Sequence, residues 1–170
     1  MTNPEILKQI IESRRSIYPK EYSGEKIPEN ILQEILNSAQ FAPNHKKTKP
    51  WRFKILQNEE LTDLGTELQK IYQENTPKLL FLQKKYDDFA VKISQSDAVI
   101  PIVVSLSGLV PEFEEICAVA MAVQNMYLTC TVNKVGCYWS SHNVINHLSE
   151  FLKLEENQRC IGLFYMGMIG

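Results

Sequence analysis

The segment from Pro111 to Val132 constrains this chain more than any other. It opens with Glu112, Glu114 and Glu115, acids that suit the positive end of a helix. It then runs Ile116-Cys117-Ala118-Val119-Ala120-Met121-Ala122-Val123 and on through Met126, Tyr127 and Leu128. A helix that is apolar almost all round must be covered on all sides. A chain of 170 residues has few elements to lay around it, so the simplest cover is a subunit interface.

That length predicts one domain spanning 1–170, large enough for a core without staples. Hydrophobic residues at 44% and charged residues at 22% exclude disordered and low-complexity classes. The net charge of −2 argues against wholesale binding to nucleic acid or an anionic membrane. Cys117, Cys130, Cys137 and Cys160 form no CxxC pair and have no His at zinc-ligand spacing, so no metal site is expected. They read as buried small hydrophobes in a reducing, cytoplasmic setting. The opening Met1-Thr2-Asn3-Pro4-Glu5 lacks the basic-then-apolar pattern of a signal peptide. The apolar stretch from Ala98 to Val110 is interrupted by Pro101, Ser105, Ser107 and Gly108, and is too short to span a bilayer.

Periodicity supplies the remaining elements. Ile6, Leu7, Ile10 and Ile11 predict a helix over about 4–13 with one apolar stripe. A second helix starts near Pro28, carries Ile31, Leu32, Ile35, Leu36 and Ala39, and stops before Pro43. Trp51 to Leu56 reads as a strand with one wet face. Residues 58–95 read as helical with a break at Thr76-Pro77. Leu79, Leu80, Phe81 and Leu82 exceed one stripe, which points to a partner surface or a lid. The β-branched run from Val99 to Leu106 predicts a buried strand. Gly136 to Trp139 is read as a short strand, Asn143 to Leu152 as a helix and Ile161 to Ile169 as a last strand. Strands among dominant helices predict an α+β or mixed α/β domain.

Three local groups carry chemistry. Arg14-Arg15-Ser16 offers two guanidinium forks and a hydroxyl, a set that suits a phosphate monoester. Taken alone it reads first as a solvated helix end, where Arg favours the dipole. The stretch from Ala42 through Asn44, His45 and Lys49 to Phe53 is dense in donors. It fits the wall of a site for an anionic aromatic ligand, an ordinary charged loop, or a nucleic-acid patch. Trp139-Ser140-Ser141 ends a strand in small hydroxyl residues, at a pocket edge or as a helix cap.

The order of these pieces resembles the nitroreductase family of flavin mononucleotide (FMN) enzymes. The matching residues are Arg14-Arg15-Ser16, Ala42-Pro43-Asn44-His45, Pro50-Trp51-Arg52-Phe53, Cys117 to Ala122, Gly136, Trp139-Ser140-Ser141 and Gly162 to Gly167. The resemblance implies a central, mostly antiparallel sheet flanked by helices, in an interwoven homodimer with flavin sites at the interface. It implies that Arg14, Arg15 and Ser16 hold the flavin phosphate. Asn44, His45 and the loop through Lys49 would approach from the other protomer, and Trp139, Ser140 and Ser141 would border the ring. Thr129, Cys130, Thr131, Val132, Asn133 and Lys134 match a stretch associated with the nicotinamide donor. The implied activity is an oxidoreductase passing hydride from NADH or NADPH through FMN to a small nitroaromatic or quinone acceptor, by a ping-pong mechanism. No protein acid or base is assigned a catalytic role, since the flavin carries the chemistry. The alternative is a flavin-binding sensor or carrier without turnover. The chain departs from the family pattern at Tyr18, Phe41 and Lys49.

Overall fold

A computed structural model describes residues 1–170. The helices are α1 (Asn3–Ser13), α2 (Glu29–Ser38), α3 (Asn58–Asn75), α4 (Gln83–Gln95) and α5 (Glu112–Val132), and the strands are β1 (Trp51–Arg52), β2 (Ala98–Ser105), β3 (Val135–Ser140) and β4 (Gln158–Met168). The strands form one antiparallel sheet in the order β1-β2-β4-β3. Helices cover both faces, as the α+β expectation required.

Every residue of β2 is buried, which explains its β-branched composition. Ala98, Ile100, Ile102 and Val104 pack with α2 and α5, while Val99 and Val103 pack with α3 and α4. A bulge in β4 opposite Ile102/Val103 pairs Ile102 with Gly162 and Val103 with Cys160, leaving Ile161 as the extra residue. Cys160 thereby joins Leu163 and Tyr165 on the α3 side, against simple alternation.

The chain between α1 and α2 is laid over the outer end of β3 and β4. Ile17 N–H donates to Cys137 O at 3.0 Å, and Ser23 N–H to Met168 O at 2.8 Å. Tyr22 lies flat across two glycines there. A Cβ on Gly136 would come within 2.7 Å of its ring and one on Gly167 within 2.3 Å. The buried Asp97 carboxylate holds the next stretch, accepting Ile27 N–H at 2.8 Å and pairing with Lys26 at 2.8 Å.

Some expectations are corrected. The helix expected over Asn143 to Leu152 is a 3-10 turn at Asn143–His147 followed by further turns. Val144, Ile145 and Leu148 are buried all the same, so the apolar spacing reported a packed face and not a helix. The strand expected from Trp51 to Leu56 pairs only at Trp51–Arg52, with one further bridge from Leu56 to Val99. Cys117 is exposed, unlike the other three cysteines. By length and composition, α5 and not the Ala98–Val110 stretch is apolar enough to cross a bilayer. It packs here on the sheet through Ala118, Val119, Ala122, Val123 and Met126. The opposite side of α5 is open, with Phe113, Met121 and Val132 exposed, and no residue of α1 is buried. The expected all-round cover of α5 is thus half supplied by this chain.

Burial raises several acids on the α3 side of the sheet. The Cys160 thiol is pushed up to about 11 and the Tyr138 phenol to about 12. Unfolding restores their ordinary values of 9.0 and 10.0. The unfolded state therefore releases these protons first, and stability is lost as pH rises from about 9 through 12. Urea midpoints should fall steadily from pH 8.5 to pH 11, and a midpoint independent of pH across that window would contradict the buried placement.

Candidate functional site

Helix α1 ends at Ser13, where Arg14 turns extended with φ −53° and ψ 127°. This break sends the twin arginines in different directions. Arg15 stays on its own helix end, its Nη1 donating to Glu12 O at 2.6 Å and Arg14 O at 2.8 Å. Arg14 turns inward, its guanidinium carbon 5.3 Å from the centroid of the Tyr127 ring on α5. Ser16 leads into Ile17, whose N–H donates to Cys137 O at 3.0 Å and so holds this turn beside β3. From the other side, Trp139 on β3 donates its backbone N–H to the Tyr127 hydroxyl at 2.7 Å. Residues more than a hundred positions apart are thus gathered at the C-terminal end of α5.

Trp139 is fixed at both ends. Its indole N–H donates to Ile161 O at 3.3 Å, and its ring occupies the space above Gly162. Ser140, half-buried, closes β3, and Ser141 follows exposed. The stretch Thr129–Lys134 leaves from the same end of α5. Thr129 and Thr131 return their hydroxyls to Asn125 O and Tyr127 O, Asn133 donates its side-chain amide to Thr129 O, and Cys130 is buried in the core. Lys134 makes the turn into β3 at φ 55°.

The basic loop lies elsewhere. Asn44 organises it, accepting Lys49 N–H at 2.9 Å and donating to Ala42 O at 3.2 Å. His45 Nδ1 sits 2.6 Å from the Glu114 carboxylate in the first turn of α5, and Lys46 Nζ donates to Leu109 O at 2.9 Å. Lys46, Lys47 and Lys49 have φ of 50°, 56° and 44°, a left-handed backbone that costs side-chain-bearing residues roughly 1–3 kcal/mol each. Such strain persists where surrounding contacts hold it and clusters at binding sites. Beneath the loop, Glu115 is buried and accepts Ser107 N–H at 2.9 Å.

These two groups do not meet within one chain. His45 is anchored at Glu114 and the Arg14–Trp139 group at Tyr127, which puts about 20 Å of helix rise between the anchors. The structure brings Arg14, Ser16 and Trp139 together and leaves Asn44, His45 and Lys49 at the far end of α5.

Tyr127 is the residue that sequence reasoning missed. Periodicity makes it one more apolar position on α5. A phenol within an aliphatic row is the signal that could have singled it out, because a buried Tyr hydroxyl needs a partner.

A Cβ on Gly162 would fall 1.9 Å from the Trp139 indole nitrogen, so Gly162→Ala must displace the indole. We expect a loss of about 1–3 kcal/mol from overpacking. A changed tryptophan emission spectrum should accompany it, and a variant with the parent spectrum and midpoint would show that Trp139 does not occupy this space.

The fold has many solved counterparts. A nitroreductase-like protein from Bacillus cereus superposes with a TM-score of 0.81 at 23% identity, covering 100% of this chain and 89% of that one. The FMN-dependent nitroreductase NfnB from Mycobacterium smegmatis, solved with NADPH, gives 0.80 at 13% identity, covering 99% and 89%. A nitroreductase with bound FMN from Bacteroides fragilis gives 0.77 at 19% identity, covering 99% and 90%. Among curated proteins, YfhC of Bacillus subtilis, whose name assigns it provisionally to the NAD(P)H nitroreductases, is 23% identical over 166 residues, or 95% of this chain and 84% of its own. The family model for nitroreductases matches residues 11–168, and the chain belongs to the Nitroreductase family.

Proposed function

We propose that the protein is an FMN-dependent oxidoreductase that takes hydride from NADH or NADPH and reduces a small acceptor of nitroaromatic or quinone type by ping-pong exchange. The observation that carries this reading is the convergence of Arg14, the Ser16 turn and Trp139 at one end of α5. The donor set fits the group: a guanidinium and a hydroxyl for a phosphate, next to a strand end with an aromatic ring and two serines for a planar heterocycle. Solved relatives bearing FMN and NADPH support it.

Bound FMN would supply the redox chemistry. The chain supplies charge, orientation and cover. Arg14 and Ser16 would hold the phosphate, with Arg15 adding positive charge from the helix end. Trp139, Ser140 and Ser141 would border the ring, and the Thr129–Lys134 turn would edge the nicotinamide site. Cys130 would contribute there through its backbone alone, since its thiol is buried. Asn44, His45 and Lys49 would arrive from a second copy and place donors where negative charge gathers on the ring. The 20 Å between the two groups within one chain is the physical reason for a homodimer. The open flank of α5, with Ile6, Leu7 and Ile11 exposed on α1, offers the apolar surface such a dimer would bury. The net charge of −2 and the absorption of His45 and Lys46 into contacts near α5 disfavour the nucleic-acid reading of the basic loop.

The purified protein should be yellow, dimeric by light scattering at micromolar concentration, and bleached anaerobically by NADH or NADPH. Arg14→Ala should weaken FMN binding about 10–100-fold, as expected for a charge-assisted contact worth about 1.5–3 kcal/mol, and Arg15→Ala should do less. Protein that stays colourless with excess FMN would overturn the reading, while a yellow protein that no nicotinamide bleaches would be a flavin carrier.

A further inference from the structure

We propose that Tyr127 is the positioning residue of the phosphate end of this site: its ring orients Arg14 and its hydroxyl ties that group to Trp139. The inference rests on the flavin reading and concerns a residue that lies behind the site and touches no ligand.

Tyr127 is buried on α5, and its contacts are divided between ring and hydroxyl. The ring lies between Phe164, edge-on at 5.0 Å and 85°, and the Arg14 guanidinium at 5.3 Å. Phe164 is fully buried in β4, so the ring has a fixed backing. A guanidinium held by attraction to a ring, and not by hydrogen bonds, keeps its N–H donors free for a ligand. The hydroxyl accepts Trp139 N–H at 2.7 Å. Burial is the largest influence on this phenol and raises it above its ordinary value, while Ser16, Trp139 N–H and Arg14 pull the other way. One residue therefore sets the cation through its ring and, through its hydroxyl, is tied to the strand that borders the flavin ring.

The test compares two flavins. FMN and riboflavin share the ring, and only FMN carries the phosphate. Tyr127→Phe keeps the ring under Arg14 and removes the hydroxyl. It should change the affinity for either flavin by less than about twofold, as read by flavin fluorescence quenching, so the preference for FMN is kept. Tyr127→Leu removes the ring as well and should weaken FMN about tenfold and riboflavin less than about twofold. Arg14→Ala should lower the FMN preference at least as much, and the double variant of Tyr127→Leu with Arg14→Ala should fall no further than Arg14→Ala alone. Equal weakening of both flavins in Tyr127→Leu would mark a purely structural role and overturn the proposal. So would an unchanged preference, or full additivity with Arg14→Ala. If the parent protein binds neither flavin, the flavin reading falls and this proposal with it. If the parent binds FMN and the preference stays constant in Tyr127→Leu, only this proposal falls.

Discussion

The site depends on α5 as a rigid spacer. One flank packs into the sheet through Ala118, Val119, Ala122 and Val123, small residues that let the helix lie close to β2. Its two ends carry the two halves of the candidate site, His45 paired with Glu114 at the start and Tyr127 with its three contacts near the end. A helix of 21 residues cannot bring its own ends together. Any ligand that needs both halves must lie where two copies of the chain align opposite ends of α5. A composition too apolar for one face is what such an arrangement would ask of the helix, because the flank away from the sheet would then face another protein surface.

How much of this the sequence made legible depends on the kind of signal. Burial was legible. The run in β2 and the composition of α5 state plainly that water is excluded, and the structure puts both in the core. Local geometry was legible only where burial and backbone preference agreed. Between Asn143 and Leu152 they did not. Val144, Ile145 and Leu148 pack on the sheet, yet Asn143, Asn146, His147 and Ser149 supply weak helix formers between them, and the chain takes a 3-10 turn. Relations between distant residues were not legible without the order of motifs. Arg14 and Trp139 are each ordinary alone, and what joins them is a phenol that periodicity counts as one more core residue. The bulge in β4 was invisible for the same reason, since alternation in one strand does not show which partner residue lies opposite.

The twin arginines show how one tripeptide satisfies two readings at once. Anions are ordinarily received at helix N-termini, where free N–H groups and the dipole favour them. The Arg14–Ser16 group sits at the opposite end of α1, where free carbonyls make the potential negative. Something must first cancel that field. Arg15 does so by donating from Nη1 to the carbonyls of Glu12 and Arg14, which is the solvated-helix-end role that the tripeptide alone suggests. With the helix end satisfied, Arg14 is released to turn inward onto Tyr127. A single arginine would have to choose between capping α1 and meeting the ligand. Two adjacent ones divide the work, and the extended backbone at Arg14 is what points them apart. The pairing is what an anion site at the unfavourable end of a helix would require.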